Sequence, residues 1–349
     1  MTVAVAVSGG RDSLMALALL RQQEFDLIAV HAQLADITQP EVLEGLRENC
    51  GILDVPLQVL DLRSRFEELV VAPYVQSYLE GRTPNPCTWC NARIKFGLLL
   101  DAVRAQGARI LATGHYACVT LTSHGPALWR GADQTKDQSY FLALLSPSQL
   151  AQAAFPLAEH RKQSVLPELN SLGLTPPLPG ESQEVCFVSG DYRDFLEQRI
   201  TDLPPSGPIV HENGRIIGKH TGLWRYTVGQ RKGLDVAWNE PLYVLRKDTD
   251  SNRLVVGERA LLLSPTCHLK SVNFLVPPTS WPQDLFLQTR YRQRPEPVRL
   301  SLGLDAIPSP DINRLTLSYP IPREPAASGQ VGVLYSLAGQ VLAAGEISS

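Results

Sequence analysis

Three groups of residues along this chain have types and spacings that could do chemistry. The first is Ala6-Val7-Ser8-Gly9-Gly10-Arg11-Asp12-Ser13, which follows a short apolar strand (Val3 to Val7) and runs into an apolar helix (Leu14 to Leu20). Adjacent glycines at such a junction let the backbone take angles that a Cβ forbids. The N–H groups of the turn and of the first helical turn then converge on one anion. Ser8 and Ser13 add hydroxyl donors, whereas Asp12 cannot hold a phosphate directly and suits orienting the loop or carrying Mg²⁺. The Gly-Lys-Ser/Thr of a Walker loop is missing. The segment reads as a pyrophosphate cradle, set against the blander reading of an ordinary glycine-containing βα turn.

The second group is Gly81-Arg82-Thr83-Pro84-Asn85-Pro86-Cys87-Thr88-Trp89-Cys90-Asn91, ahead of a helix that continues through Ile94-Lys95-Phe96. Two prolines stiffen this loop. A thiol in the first turn of the helix feels its positive end, which favours thiolate. The third group is Ser182-Gln183-Glu184-Val185-Cys186-Phe187, where the flanking Val185 and Phe187 also suit a buried core thiol. By itself Cys-x-x-Cys fits half a zinc site, a redox pair or iron–sulfur ligands. No second Cys-x-x-Cys or His-x-x-x-His completes a zinc site.

The elements that must position these groups alternate strand and helix. Strands are expected at Leu27 to His31, Leu57 to Leu60 and Arg109 to Ala112. Helices are expected at Glu41 to Asn49, capped by Gly51, at Phe66 to Glu80 with a possible break at Pro73, and at Asn91 to Ala105. Such alternation implies an α/β fold with a parallel sheet, helices on both faces, and ligands outside the carboxyl ends of the strands. The Ser8 loop and Thr113-Gly114-His115 both stand at such ends. A hairpin through Ser123-His124-Gly125, a proline-interrupted helical stretch from Leu145 to Leu172 and a linker at Thr175 to Gly180 follow. Beyond Pro204 the pattern turns to short strands. We expect a catalytic domain over 1–180, a small β-rich central domain over 181–260 and a C-terminal β-barrel over 261–349.

The chain has 349 residues, enough for two or three domains, with 44% apolar and 19% charged residues. Its net charge of -3 carries no global nucleic-acid signal, but a local basic stripe is enough to contact phosphates. No apolar run approaches the length of a membrane span and no targeting segment precedes the first strand, so a cytoplasmic location is expected. The six cysteines are then thiols rather than a disulfide framework.

Taken together, the motifs resemble those of the tRNA-specific 2-thiouridylases, enzymes that put sulfur on the wobble uridine of certain tRNAs. The resemblance spans nearly the whole sequence. Besides the three groups above it takes in Ala112-Thr113-Gly114-His115-Tyr116, Lys136-Asp137-Gln138-Ser139-Tyr140-Phe141, Thr227-Val228-Gly229-Gln230-Arg231-Lys232-Gly233-Leu234, Arg290-Tyr291-Arg292-Gln293 and Gly329-Gln330. It implies an adenine-nucleotide alpha-hydrolase-like sheet with ATP at Ala6 to Ser13, flanked by Ala32 and Gly114. It implies that AMP is transferred to the C2 oxygen of uracil, making a good leaving group that a sulfur nucleophile expels. It further implies Cys186 as the carrier of a persulfide and Cys90 as the thiol that closes a transient disulfide with it. Asn85, Pro86 and Cys87 match the loop that touches the target base. His115, Lys136, Asp137, Gln138, Arg290, Tyr291 and Gln330 match tRNA contacts. On the residues alone, Arg290, Arg292 and Arg294 with Tyr291 suit phosphate contact and base stacking, or simply a solvated strand edge. Lys136-Asp137-Gln138 also suits a polar turn, and His115 a hydrogen-bonded strand end. ATP, Mg²⁺, tRNA and a persulfide donor, a cysteine desulfurase or relay protein, are the expected partners; no membrane is expected among them.

The chain departs from that family's pattern in four places. Arg11 replaces a small apolar residue, the segment from His31 to Pro40 is short, and Gly180-Glu181 stands where a lysine is usual. Cys87 replaces an aspartate common among relatives, so Cys87, Cys90 and Cys186 could alternatively hold a [4Fe–4S] cluster with one iron open for sulfide. Cys50, Cys118 and Cys267 match no motif and are expected to pack. Two other readings compete: a different ligase or amidotransferase using the same loop, which leaves the cysteines without work, and an idle RNA-binding relative.

Overall fold

Val, Ala, Leu and Ile follow one another almost without polar interruption in the strands of the first sheet, as strands covered on both faces require. In the computed structural model, which describes residues 1–23, 25–35, 40–178, 180, 185–301 and 313–348, these strands are β1 (Thr2–Ala6), β2 (Asp26–Gln33), β3 (Leu57–Asp61) and β4 (Ile110–Ala112). A hairpin of β5 (Ala117–Thr122) and β6 (Gly125–Arg130) follows, then the two-residue β7 (Ala153–Ala154). The sheet order is β3-β2-β1-β4-β7, with every pairing parallel. The chain leaves β1 toward β2 on one side and returns to β4 on the other. The crevice at the carboxyl ends of β1 and β4 is therefore the switch point where such sheets bind ligands.

Downstream, β8 (Gly207–His211), β9 (Ile216–His220), β10 (Tyr243–Asp248) and β11 (Arg253–Gly257) form a small sheet in the order β10-β11-β8-β9. The final strands β12 (Ser264–Phe274), β13 (Leu285–Gln288), β14 (Glu296–Leu300), β15 (Arg314–Arg323), β16 (Val331–Ser336) and β17 (Val341–Ser348) close an antiparallel barrel. The barrel shares a core with the first sheet: Phe96, Leu99, Tyr140 and Leu142 pack in one cluster with Val331, Val333, Tyr335 and Val341. Burial of that apolar surface seats the barrel firmly on the first sheet and its helices.

Several local expectations need correction. Gly51 does not cap a helix. Helix α2 runs from Pro40 to Ile52 through it, and Asp54 takes the left-handed turn (φ 52°), a conformation short polar side chains tolerate. Pro73 breaks nothing, because a π-helical turn (Glu67–Val71) precedes it and the proline falls at the start of the next α segment (Ala72–Leu79), where its missing N–H is least needed. The stretch from Leu145 to Leu172 is helical only at Pro147–Leu150 and Lys162–Ser171; between them β7 adds an edge to the sheet, too short to leave a periodic signature. The segment read as a linker is pinned down. Asn49 bonds both backbone groups of Thr175, at 3.0 and 2.8 Å, and Leu178 N–H donates to the Gly9 carbonyl at 2.9 Å. Pro179 and the 181–184 part of the Cys186 motif lie outside the described residues.

Candidate active site

Helix α1 (Arg11–Gln22) begins immediately after the two glycines, so its free N–H groups open into the β1–β4 crevice. Gly9 has φ +90°, and a Cβ there would sit 2.8 Å from Val42 Cγ1. The loop is tied by its serines. Ser13 Oγ accepts from Ser8 N–H at 3.1 Å and donates to the Gly10 carbonyl at 2.9 Å. Gly114 closes the other wall, since a Cβ on it would meet the backbone of Asp12 and Ser13 at 2.5 to 2.7 Å. Only glycine lets the β4 turn lie against the first turn of α1. The Asp12 carboxylate accepts from Tyr116 OH (3.0 Å) and from Lys162 Nζ (2.7 Å). Lys162 was not anticipated; it lies 150 residues downstream, beside no motif.

The thiols occupy the opposite corner. One continuous helix spans 86–105, opening at Pro86, widening into a π-helix over Cys90–Leu99 and ending at Ala105. Cys87 and Cys90 thus lie within its first turns, Cys90 buried and Cys87 half-buried. The helix field does not win there. Burial pushes the Cys87 thiol up to about 11 and the Cys90 thiol up to about 12, so both are protonated near neutral pH in this state. Cys186 is the exposed thiol, contrary to a core reading. Its neighbour Phe187 is the anchor, edge-on to Tyr74 at 5.2 Å and to Phe66 at 5.6 Å. Partial burial still raises the Cys186 thiol, and Lys95 opposes that rise. Cys87 and Cys90 both feel the charge of Cys186 and of Lys95, so all three sulfurs and one ammonium share a neighbourhood. In the sequence the one sign of Lys95 is its place as a charged residue between apolar Ile94 and Phe96.

A single cavity of about 1310 Å³ joins the two corners. Ala6, Val7, Ser8, Gly10, Arg11, Asp12, Ser13, Ala32 and Gly114 line it, and so do Lys95, His115, Lys136, Asp137, Gln138, Cys186, Tyr291, Arg292 and Arg294. Gly9 stands behind its wall. Asn85, Pro86, Cys87, Cys90, Arg290 and Gln330 are not among the lining residues. Gln330 instead clamps the cysteine loop from the barrel, donating to the Thr83 carbonyl at 2.8 Å. Arg82 pairs with Glu346 at 2.8 Å alongside. Asp137 is buried, its carboxylate accepting from Gly131 N–H (3.1 Å), Ser139 N–H (3.1 Å) and Ser139 Oγ (3.0 Å), so it shapes a turn. Gln138 Oε1 accepts from Tyr116 N–H at 3.0 Å. The barrel's Gln288 donates to the carbonyls of Arg290 and Tyr291, at 3.0 and 2.6 Å, and accepts from Arg130 at 2.9 Å, fixing the basic loop over the cavity. Thr113 Oγ1 and His115 Nδ1 are 2.7 Å apart; burial, then Lys95, hold the imidazole neutral.

Residues 1–190 match the family model described as the tRNA methyl transferase HUP domain, and 193–258 that of the tRNA methyl transferase PRC-barrel domain. A protein of Nitratidesulfovibrio vulgaris called tRNA-specific 2-thiouridylase MnmA is 49% identical, over 99% of each chain. One of the same name from Lawsonia intracellularis is 46% identical over 100% of this chain and 99% of its own. The chain belongs to the tRNA-specific 2-thiouridylases. As a 2-thiouridylase it is a sulfurtransferase acting on tRNA, and the nucleotide crevice of its first domain fits ATP. A third 2-thiouridylase, from Desulfosudis oleivorans, is 40% identical over 95% of this chain and 91% of its own. Among the described residues no group of three or more His, Cys, Asp or Glu is arranged to hold a metal ion. Asp12 is engaged by Lys162 and Tyr116, and Cys87, Cys90 and Cys186 of this 2-thiouridylase do not form such a group. No described helix is long and apolar enough to cross a membrane.

Proposed function

We propose that this enzyme thiolates C2 of the wobble uridine by adenylation followed by persulfide transfer. The observation that carries the reading is the single cavity lined by both the Ser8–Ser13 anion loop and Cys186. ATP lies with its phosphates on the N-terminus of α1. The uracil O2 attacks the α-phosphorus, pyrophosphate leaves, and an O2–adenylate results. The terminal sulfur of a persulfide on Cys186 attacks C2, and AMP departs with the C2–O electron pair. The Cys90 thiolate then attacks Cys186 Sγ, the S–S pair moves to the sulfur on C2, and 2-thiouridine is released, leaving a Cys90–Cys186 disulfide for an external thiol to reduce. A neutral His115 and the donors around it suit an extruded pyrimidine. Arg290, Tyr291, Arg292 and Lys136 take the tRNA backbone and neighbouring bases, while Asn85, Pro86 and Cys87, steadied by Gln330, present the base loop. In this reading Asp137 and Gln138 contribute by shaping the wall. Residues 1–180 bind and cleave ATP and supply Cys90, 181–260 supply Cys186, and 181–260 and 261–349 grip the tRNA. A cysteine desulfurase or relay protein supplies persulfide, Mg²⁺ accompanies ATP, and the reaction takes place in the cytoplasm.

The test is incubation with ATP, unmodified tRNA and a persulfide source, followed by nucleoside analysis. Cys90→Ser and Cys186→Ser should each abolish 2-thiouridine. Product surviving both substitutions overturns the thiol mechanism. Anaerobic purification with iron quantification tests the cluster route: stoichiometric iron required for activity would replace the persulfide step.

A further inference from the structure

Sulfur must be an anion to attack, yet burial works against that charge at each of the three thiols. The corner needs a cation. His115 is not one, because burial first and Lys95 second hold it neutral. Lys95 is the candidate, and two features of the fold place it. It stands five residues after Cys90 inside the π-helical stretch Cys90–Leu99. In an α-helix a residue five positions on has rotated well away from the first. In a π-helix the backbone bonds run between residues five apart, which sets residue 95 one turn above residue 90. Lys95 and Cys186 also line the same cavity. Unlike Lys162, which is committed to Asp12, Lys95 has no carboxylate partner among the described residues. The groups that feel its charge are Cys87, Cys90, Cys186 and His115. A half-buried ammonium with no carboxylate partner among the described residues is well placed to receive an anion.

We propose that Lys95 is a catalytic residue whose ammonium pairs with the sulfur anion at Cys186 and then with that of Cys90, serving one anion at a time. This rests on the reading of Cys186 as the sulfur carrier. It explains why the helix is widened where it is: π turns recur at functional sites because they re-aim a side chain. It also orders the two thiols. While the sulfur on Cys186 holds the ammonium, Cys90 stays a protonated thiol. Once sulfur has bonded to C2, the ammonium is released to stabilise the Cys90 thiolate that attacks Cys186.

The experiment uses the full chain without tRNA or ATP. Alkylation of Cys186 by iodoacetamide at about pH 7.5 is followed by peptide mass spectrometry for the parent, Lys95→Met and Lys95→Arg proteins. Lys95→Met should slow alkylation about tenfold, and Lys95→Arg should restore it to within about threefold of the parent. Single-turnover thiolation should follow the same order, with ATP and tRNA affinities within about twofold. Equal alkylation in the parent and Lys95→Met overturns the proposal. So does an arginine variant as slow as the methionine one, which would mean that shape rather than charge matters. Loss of ATP affinity with unchanged alkylation would assign Lys95 to phosphate and overturn it too. Because alkylation needs neither substrate, these failures are separate from that of the thiolation reading, which is tested by 2-thiouridine formation in the cysteine variants and by iron content.

Discussion

Replacing Gly114 with alanine tests whether the nucleotide crevice depends on backbone contact between two elements. The added methyl would stand 2.5 Å from the carbonyl carbon of Asp12, 2.6 Å from its oxygen and 2.7 Å from Ser13 N. Ordinary contact begins near 3.4 Å, so the β4 turn and the first turn of α1 must part by roughly 1 Å. Both sides are backbone, and no flexible side chain can yield. Overpacking of this kind costs about 1–3 kcal/mol, and the rigid surroundings favour the upper end. The displaced atoms include Ser13 N, whose N–H belongs to the first turn of α1, so at the proposed ATP site the strain is felt in binding as well as in stability. At about 1.4 kcal/mol per decade, ATP affinity should fall roughly tenfold to a hundredfold. Isothermal titration with ATP and urea unfolding of the same preparations give the two numbers. ATP binding within about twofold of the parent, with unchanged stability, would refute the close-approach argument.

Gly51→Ala is the opposite case: the residue lies inside α2 with nothing within 4 Å of an added methyl group, so alanine should stabilise by about 0.5–1 kcal/mol in urea unfolding, whereas a true left-handed cap would lose stability. Lys162→Met should destabilise by about 1–3 kcal/mol, less than a fully buried pair because Asp12 keeps some solvent, and a cycle with Asp12→Asn should show coupling above about 0.5 kcal/mol. Burial raises the Cys50 and Cys267 thiols from 9.0 to about 11 and Cys90 to about 12. Their contribution to stability is therefore complete below pH 9 and is lost as pH rises through 11 to 12. Between about pH 8 and 10 Cys267→Ala should lose about 1 kcal/mol less than the parent does, measured by urea unfolding at each pH; equal losses would contradict the burial argument.

The sequence alone determined the chemistry-bearing segments. Ser8-Gly9-Gly10 between an apolar strand and an apolar helix announces an anion loop because glycine torsions and helix-end donors are local properties. Strand and helix alternation announces the parallel sheet, since period and burial are written in consecutive residues. The closed barrel was legible from short strands and turns for the same reason. Tertiary structure decided which of those residues meet. It brought Lys162 to Asp12, Gln330 to the cysteine loop and Leu178 onto Gly9, contacts spanning 150, 247 and 169 positions that no local pattern encodes. It turned Asp137 inward and left Cys186 outward, because aromatic packing around Phe187 rather than the composition near Cys186 sets which side faces the cavity. It also reversed the expected ionisation of Cys87 and Cys90: a helix end offers a modest field, while removal from water penalises a thiolate more, and only the folded chain shows how much water is left.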